Sequence, residues 1–157
     1  MSVYSKIRAR VEDDIRRTGW HVTGVFPSED GGVPTYFVYT AGLWGTLQHP
    51  ELIVFGLRPE VAHGIFSGVR ERILKGERFE DGQFADRVVR NYRVYFHRVR
   101  NDDDMYPTTS ATAYYGHRDY EVLQIVLPDM QDRFPWDPAC DEKMRLTQQL
   151  LGAIKEP

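Results

Sequence analysis

The sequence predicts a single α+β domain with a mixed, largely antiparallel sheet and about three helices. Apolar residues recur at helical spacing near both ends and in the middle of the chain, and strand-like runs of β-branched and aromatic residues lie between them. The 157 residues contain no visible repeat or linker. We therefore expect one domain spanning residues 1–157, because a chain of this length can bury a core of its own.

Three helices are predicted from their end signals as well as from their periodicity. Ser2 can cap the first helix, and Gly19 ends it, because glycine readily adopts the left-handed conformation found at helix C-termini. Pro59 opens a second helix, which runs to Gly76. A last helix is predicted over residues 141–154, where apolar residues again recur on one face.

The remaining periodic segments read as strands. They cover residues 20–26, 35–40, 52–55, 88–99 and 120–127. The turn-forming residues 27–34 join the first two strands into a hairpin, and the fourth strand is kinked or turned near Asn91. A single helical turn is expected over 110–115, ending at Gly116. Because hairpins and helices follow each other in this order, we expect the helices on one side of the sheet.

Composition indicates which partners the protein lacks and in which cellular compartment it is expected. The net charge is −3, and the basic residues are spread along the chain, which argues against nucleic acid as a partner. No apolar run approaches the roughly 20 residues that span a bilayer, so we expect no membrane association. A lone cysteine, Cys140, and an N-terminus without a hydrophobic signal region predict a cytoplasmic protein.

The segment between the second and third strands is the first candidate site. Both flanking strands are apolar on both faces, which is typical of central strands, and loops at the ends of such strands often bind ligands. Gly42 and Gly45 make the predicted loop, residues 41–51, pliable. The alternative is that the glycines serve a tight crossover and the tryptophan covers the core. The candidate ligand-binding residues here are Thr40, Trp44, Gln48, His49 and Glu51.

A second candidate site follows the predicted helical turn. His117, Arg118 and Asp119 could supply a general base held by a carboxylate and an arginine for an anion. Arg98 could join Arg118 on a phosphate, although no phosphate-binding glycine loop is present. The alternative is a solvated turn that enters a strand. Trp136, in a segment that wraps the surface, could close over the same ligand.

The sequence predicts no metal site. His49 and Glu51 are two residues apart, but no His-x-His or Cys-x-x-Cys spacing provides further ligands. The other four histidines are scattered singly along the chain, at His21, His63, His97 and His117.

Three stretches of this sequence resemble the motifs of domain-of-unknown-function family 4262, which consists of bacterial and phage proteins of about this size. The stretches are GWHVTGVF, FVYTAGLWGTLQHPELIVFGL and YGHRDYEVLQIVLPD with FPW after it. The resemblance runs from about Gly19 to Trp136, and it implies no catalytic assignment. It implies that the family signature includes Tyr39, Thr40, Gly42, Leu43, His49, Pro50, Glu51, Gln124, Pro128 and Asp129.

A fainter similarity of layout links the chain to the flavin reductase-like split barrels. In those proteins a comparable loop contacts a flavin phosphate, which would make flavin a candidate cofactor here. The Thr- and Ser-rich phosphate loop of that group is reduced in this sequence to Thr40 and Thr46, and this departure counts against flavin.

These observations lead to one functional expectation and two alternatives. We expect a cytosolic small-molecule-binding domain whose ligand is polar or anionic, such as a nucleotide or flavin, and the sequence does not establish a reaction. The first alternative is a protein-interaction or inhibitory module in a bacterial or phage conflict system, supported by many Tyr and Trp residues and an acidic loop at 101–104. The second is a hydrolase built on His117 and Asp119, for which the sequence identifies no nucleophile.

Overall fold

The computed structural model describes residues 2–27, 36–100 and 108–151. Most of the predicted 27–34 turn and the acidic loop at 101–104 lie outside these ranges. Within them the chain forms six strands and five helices. In chain order these are α1 (Val3–Thr18), β1 (His21–Val25), β2 (Phe37–Ala41), α2 (Leu43–Leu47), β3 (Glu51–Phe55), α3 (Pro59–Leu74), β4 (Gln83–Val89), β5 (Tyr92–Val99), α4 (Thr109–Tyr115), β6 (Val122–Val126) and α5 (Glu142–Thr147).

The strands form one open sheet in the order β1-β2-β3-β6-β5-β4. Among the strands of the described residues, only β3 and β6 pair in parallel, and the other four pairings are antiparallel. This confirms the predicted α+β class, the β1–β2 pairing and the turn at Asn91, which joins β4 to β5. Glu51 lies opposite Val122 and Val99 pairs with Val122. The beginnings of β3 and β6 and the end of β5 therefore share one edge of the sheet.

Helices cover both faces of the sheet, so the expectation of helices on one side was wrong. Side chains alternate along β2: Val38 packs with Phe66 of α3, whereas Tyr39 packs with Val11 of α1 and Ala111 of α4. A strand buried on both faces is apolar at every position, and β2, β3 and β6 are buried throughout. Such a strand does not indicate on which face a helix lies.

The helix ends follow the predicted signals at α1, α3 and α4. The Ser2 side chain accepts a hydrogen bond from the Ser5 N–H at 3.1 Å, and Gly19 ends α1 with φ of 91°. Pro59 is at the first position of α3, and Gly116 ends α4 with φ of 78°.

The last helix, α5, ends at Thr147 rather than continuing to Ile154, which lies outside the described residues. The buried Gln148 side chain donates to the Phe55 carbonyl at 2.8 Å and accepts from the Leu127 N–H at 3.1 Å. Gln124 likewise bonds the backbone of Leu151 at 2.9 Å. These bonds hold residues 148–151 against the sheet as an irregular segment, and helical spacing cannot predict them.

Asp129 organises the surface segment between β6 and α5. Its buried carboxylate accepts hydrogen bonds from the backbone N–H groups of Gln131, Arg133 and Asp141, each at 2.9 Å, and from the Arg133 guanidinium. Burial acts to raise the pKa of Asp129, but the N–H donors and the guanidinium outweigh it and hold the pKa well below its usual range.

Replacing Asp129 with Asn should change the acid sensitivity of the fold. Because the folded-state pKa is lowered, this carboxylate contributes stability above its ordinary pKa of about 3.9, and the contribution is lost as the pH falls below that value. The Asp129→Asn variant should unfold more easily at neutral pH and lose less stability on acidification than the parent protein. Urea unfolding at several pH values measures this, with the exposed Asp86→Asn as the matched control. Equal pH dependence in parent and Asp129→Asn would contradict it.

Candidate functional site

The predicted 41–51 loop contains a short helix, α2, whose N-terminus is capped by the side chain of Glu51. The chain turns into the helix at Gly42, where φ is 109°. The backbone N–H groups of Gly42, Leu43 and Trp44 donate to the Glu51 carboxylate at 3.0, 3.2 and 3.1 Å. A carboxylate is stabilised there because the first N–H groups of a helix have no partner within it.

Two hydroxyl groups complete the surroundings of Glu51, whose residue is only 1% exposed. Thr40 donates to it at 2.7 Å and itself accepts the Leu52 N–H at 2.9 Å. Tyr115 also donates to Glu51, while its oxygen accepts the Gly45 N–H at 3.1 Å. Each hydroxyl oxygen accepts a backbone N–H, so its own hydrogen points to Glu51. All five partners of Glu51 are therefore donors, which fits an ionised carboxylate.

Burial and hydrogen bonding act in opposite directions on this group. Burial is the larger effect and raises the pKa of Glu51 above its ordinary value, although the hydrogen bonds from Tyr115, Thr40 and the α2 backbone act to lower it. Burial, and next the negative charge of Glu51, raise the pKa of Tyr115 well above its ordinary value. Tyr115 consequently stays a neutral donor. Both Glu51 oxygens already accept hydrogen bonds within the chain. Glu51 therefore holds the loop in its conformation and offers no acceptor to a ligand.

His49 is also satisfied within the fold. Its ring is buried, Nδ1 donates to the Pro50 carbonyl at 2.9 Å, and Nε2 accepts the Phe79 N–H at 3.1 Å. Burial lowers the pKa of His49, in keeping with a neutral ring. Neither nitrogen is left for proton transfer or metal binding. The ring instead ties the end of α2 to the segment that precedes β4.

Tyr115 links the two predicted sites. Its ring stacks on that of His117 at 6.1 Å between centroids, and its hydroxyl bonds the α2 backbone. Trp44 packs in the same cluster, and His117 Nδ1 accepts the Asp119 N–H at 3.0 Å. The structure therefore brings the 117–119 turn beside α2. Sequence reasoning missed Tyr115, although it directly precedes the Gly116 and His117 pair.

Trp136 lies elsewhere. Its ring packs against Tyr95 at 4.9 Å and Phe134 at 5.1 Å. Tyr95 pairs with Val126, the opposite end of β6 from Val122. Trp136 thus belongs to an aromatic cluster at the other end of the sheet and does not wall the space around α2.

Two adjoining hollows lie at the sheet edge where β3 and β6 begin and β5 ends. The first, of about 290 Å³, includes Gln48 and His49 in its wall, and the second, of about 490 Å³, includes Arg118 and Asp119. We call them together the edge hollow, because Asp81, Arg98 and Glu121 line both.

Charged groups of both signs line the edge hollow. The Arg98 guanidinium forms an ion pair with Glu121 at 3.1 Å, and the Arg98 backbone N–H donates to the Asp81 carboxylate at 2.8 Å. Arg78 donates to the Leu47 carbonyl at the end of α2 at 2.8 Å. Arg98 and Arg118 were predicted from the sequence to bind a phosphate together, and both line the same hollow. Asp81, Arg78 and Glu121 carry no sequence signal, because only the strand pairing brings them to this edge.

Two features are absent from the described residues. Within residues 2–27, 36–100 and 108–151, no three His, Cys, Asp or Glu side chains are grouped as metal ligands would be. No helix in the same ranges is both long enough and apolar enough to cross a membrane.

Comparison with known proteins identifies a family. The model of the family described as domain of unknown function (DUF4262) matches residues 14–141. The chain belongs to this family. No curated protein and no solved structure matches it.

Replacing Glu51 with Gln should destabilise the DUF4262 domain by about 2–4 kcal/mol, because buried backbone donors of α2 lose a charged acceptor and face an amide NH₂ group. Tyr115→Phe, which removes one donor, should cost about 1–2 kcal/mol. The matched control is Glu71→Gln on the exposed side of α3, which should change stability by less than about 0.5 kcal/mol. Chemical denaturation measures all three. A Glu51→Gln protein as stable as the parent would show that the carboxylate does not hold α2.

Proposed function

We propose that this DUF4262 domain binds a small polar molecule carrying an anionic group in the edge hollow. The observation that supports this most directly is the joining of the two predicted sites, residues 48–49 and 118–119, through walls that they share. The volumes fall within or near the roughly 300–1,000 Å³ range of small-molecule sites. A site at the end of central strands is also held rigidly by the sheet.

The ion pair between Arg98 and Glu121 favours an anionic ligand. Its side chains are 62% and 37% exposed, and such exposed pairs contribute little to stability, about 0–1 kcal/mol. A carboxylate or phosphate that binds the guanidinium through two parallel hydrogen bonds forms a stronger contact. An incoming anion can therefore displace Glu121 from its ion pair with Arg98. The released carboxylate is then free to accept a hydrogen bond from a donor on the same ligand.

A ligand with both an anion and hydrogen-bond donors matches this lining. Nucleotides, including flavin mononucleotide, have this combination, with a phosphate at one end and a heterocycle at the other. In the proposal Arg98 and Arg118 contact the anion, and Gln48 contacts the polar ring. Glu51 and His49 act indirectly, since they position α2 and the wall of the hollow.

The proposed setting is the cytosol, where the buried Cys140 would remain a thiol.

A second candidate function, protein interaction, is favoured by the cluster around Trp136. Arg93 lies over the Phe84 ring at 4.2 Å, and Phe84 is 41% exposed. Met130, which accepts a hydrogen bond from Tyr92 in the same region, is 81% exposed. Aromatic residues, Met and Arg are enriched at protein interfaces. This surface is at the other end of β6 from the edge hollow, so the two functions can be tested separately.

Direct binding measurements test the small-molecule proposal. Native mass spectrometry of freshly purified protein should show a bound small molecule, or calorimetry with AMP, ATP and flavin mononucleotide should detect one binder. Arg98→Ala and Arg118→Ala should each weaken that binding at least about tenfold, since a charged hydrogen bond contributes about 1.5–3 kcal/mol. The control is Arg90→Ala, an exposed arginine at the β4–β5 turn.

Two outcomes would contradict the proposal. One is a folded protein that carries no small molecule and binds none of the three probes. The other is equal affinity in the parent, Arg98→Ala and Arg118→Ala proteins. Co-purification of a stoichiometric protein, lost in a Trp136→Ala variant, would favour the interaction module instead.

A further inference from the structure

A hollow of about 390 Å³ lies between α1, β1 and α4 and shares no lining residue with the edge hollow. We call it the α1 hollow. Its volume lies within the roughly 300–1,000 Å³ range of small-molecule sites. The part of its wall that α1 supplies consists of three apolar and two basic residues, Val3, Ile7, Val11, Lys6 and Arg10.

The three apolar residues form a row along α1, because residues four apart lie on the same face of a helix. Exposure falls along this row: Val3 is 74% exposed, Ile7 is partly buried and Val11 is 1% exposed. The hollow is therefore open at Val3 and covered at Val11. An apolar chain that lay along the row would remove its exposed part from water, which is favourable in proportion to the apolar area covered.

Lys6 and Arg10 form a second row beside the apolar one and supply positive charge. They are two of the five basic residues of α1. The other three, Arg8, Arg16 and Arg17, form ion pairs with carboxylates of the same helix. Lys6 and Arg10 form no ion pair with any carboxylate in the part of the chain that the structure describes. Both are exposed, so their charges lie at the rim of the hollow.

The contact between Asp14 and His21 explains why Arg10 has no partner on its own helix. Asp14 lies four residues after Arg10, a spacing at which a carboxylate and an arginine can pair. Its oxygens are instead engaged by Arg17 and by His21 Nδ1, each at 2.6 Å. Arg10 therefore keeps an uncompensated charge beside the hollow.

The polar groups that β1 and α4 bring to the hollow bond to one another. Thr23 Oγ1 donates to Ser110 Oγ at 3.0 Å, and His21 Nε2 lies 2.9 Å from Thr23 Oγ1. No carboxylate among the described residues lines the α1 hollow, whereas Asp81 and Glu121 line the edge hollow. The charge of the wall is therefore of one sign, and it favours an anion.

We propose that the α1 hollow binds a small amphiphile, in which a linear alkyl chain ends in a carboxylate or a similar oxyanion. The alkyl chain lies along the apolar row, and Lys6 and Arg10 bind the oxyanion at the rim. The row from Val3 to Val11 covers about 12 Å at 1.5 Å per residue, comparable with an extended eight-carbon acid. This inference goes beyond ligand binding in the edge hollow and does not depend on it.

Octanoate, 1-octanol and butanoate test the charge and the alkyl chain separately. In NMR titrations of the full-length protein, octanoate should shift the methyl signals of Val3 and Ile7. Both 1-octanol, which lacks the charge, and butanoate, which lacks four CH₂ groups, should bind about tenfold more weakly or worse. Added salt should weaken octanoate binding, because it screens exposed charges.

Variants of α1 test the two rows. The Lys6→Gln, Arg10→Gln double variant should bind octanoate about tenfold more weakly and 1-octanol as the parent does. Val3→Asp should also weaken octanoate binding, and an acidic residue in the first turn of a helix favours folding. The matched control is the Arg8→Gln, Arg16→Gln double variant, which removes the same charge from α1 but none from the hollow. Its octanoate affinity should equal that of the parent. Thermal unfolding confirms that each variant folds.

Four results would overturn the proposal. The first is octanoate that shifts no methyl signal of α1. The second is equal octanoate affinity in the parent and the Lys6→Gln, Arg10→Gln protein, and the third is 1-octanol that binds as tightly as octanoate. The fourth is octanoate affinity that falls in Arg98→Ala, which would place the acid in the edge hollow. Protein removed from solution by phosphatidylglycerol vesicles, with no octanoate shift, would belong to the first result and assign α1 to a membrane surface.

Discussion

The Glu51 carboxylate is the interaction on which the centre of this fold depends. It begins β3, bonds Thr40 on β2, caps α2 and receives the Tyr115 hydroxyl from α4. One side chain therefore ties two central strands to two helices. Burying a charge is costly unless it is fully hydrogen-bonded, and here five donors supply those bonds. A neutral or shorter side chain could not satisfy the same donors.

The single parallel pairing in the sheet decides where a ligand can meet the protein. Because β3 and β6 run in the same direction, their beginnings lie side by side, and the Glu51 N–H donates to the Glu121 carbonyl at 2.9 Å. The antiparallel β5 then brings Arg98 to the same edge. Groups distant in sequence thus line one hollow. An all-antiparallel meander would have put these strand ends at opposite edges.

The groups that line the edge hollow determine the chemistry that it can offer. The edge hollow contains paired charges and amides, and its histidine, His49, has both nitrogens engaged by the backbone, so this hollow is suited to recognition.

Local signals in the sequence were sufficient for the fold class, for the ends of α1, α3 and α4, and for the β1–β2 pairing. Periodicity, caps and turn residues act over a few positions, and these features depend on nothing more distant. Residues 40–51 and 117–119 were predicted as candidate sites from the sequence, and the structure shows that Tyr115 contacts both segments.

Only the tertiary structure decided the features that depend on long-range contacts. Helix α2 was missed because its capping carboxylate, Glu51, follows the helix instead of preceding it. Trp136, which the sequence suggested could close over the same ligand, packs at the other end of the sheet from α2, and no local pattern reports strand order. His21 looked isolated in the sequence. Its partner Asp14 lies seven positions away, beyond the Gly19 turn, and Thr23, also on β1, donates to Ser110 of α4. Sequence spacing identifies neighbours within one element, whereas packing selects neighbours between elements.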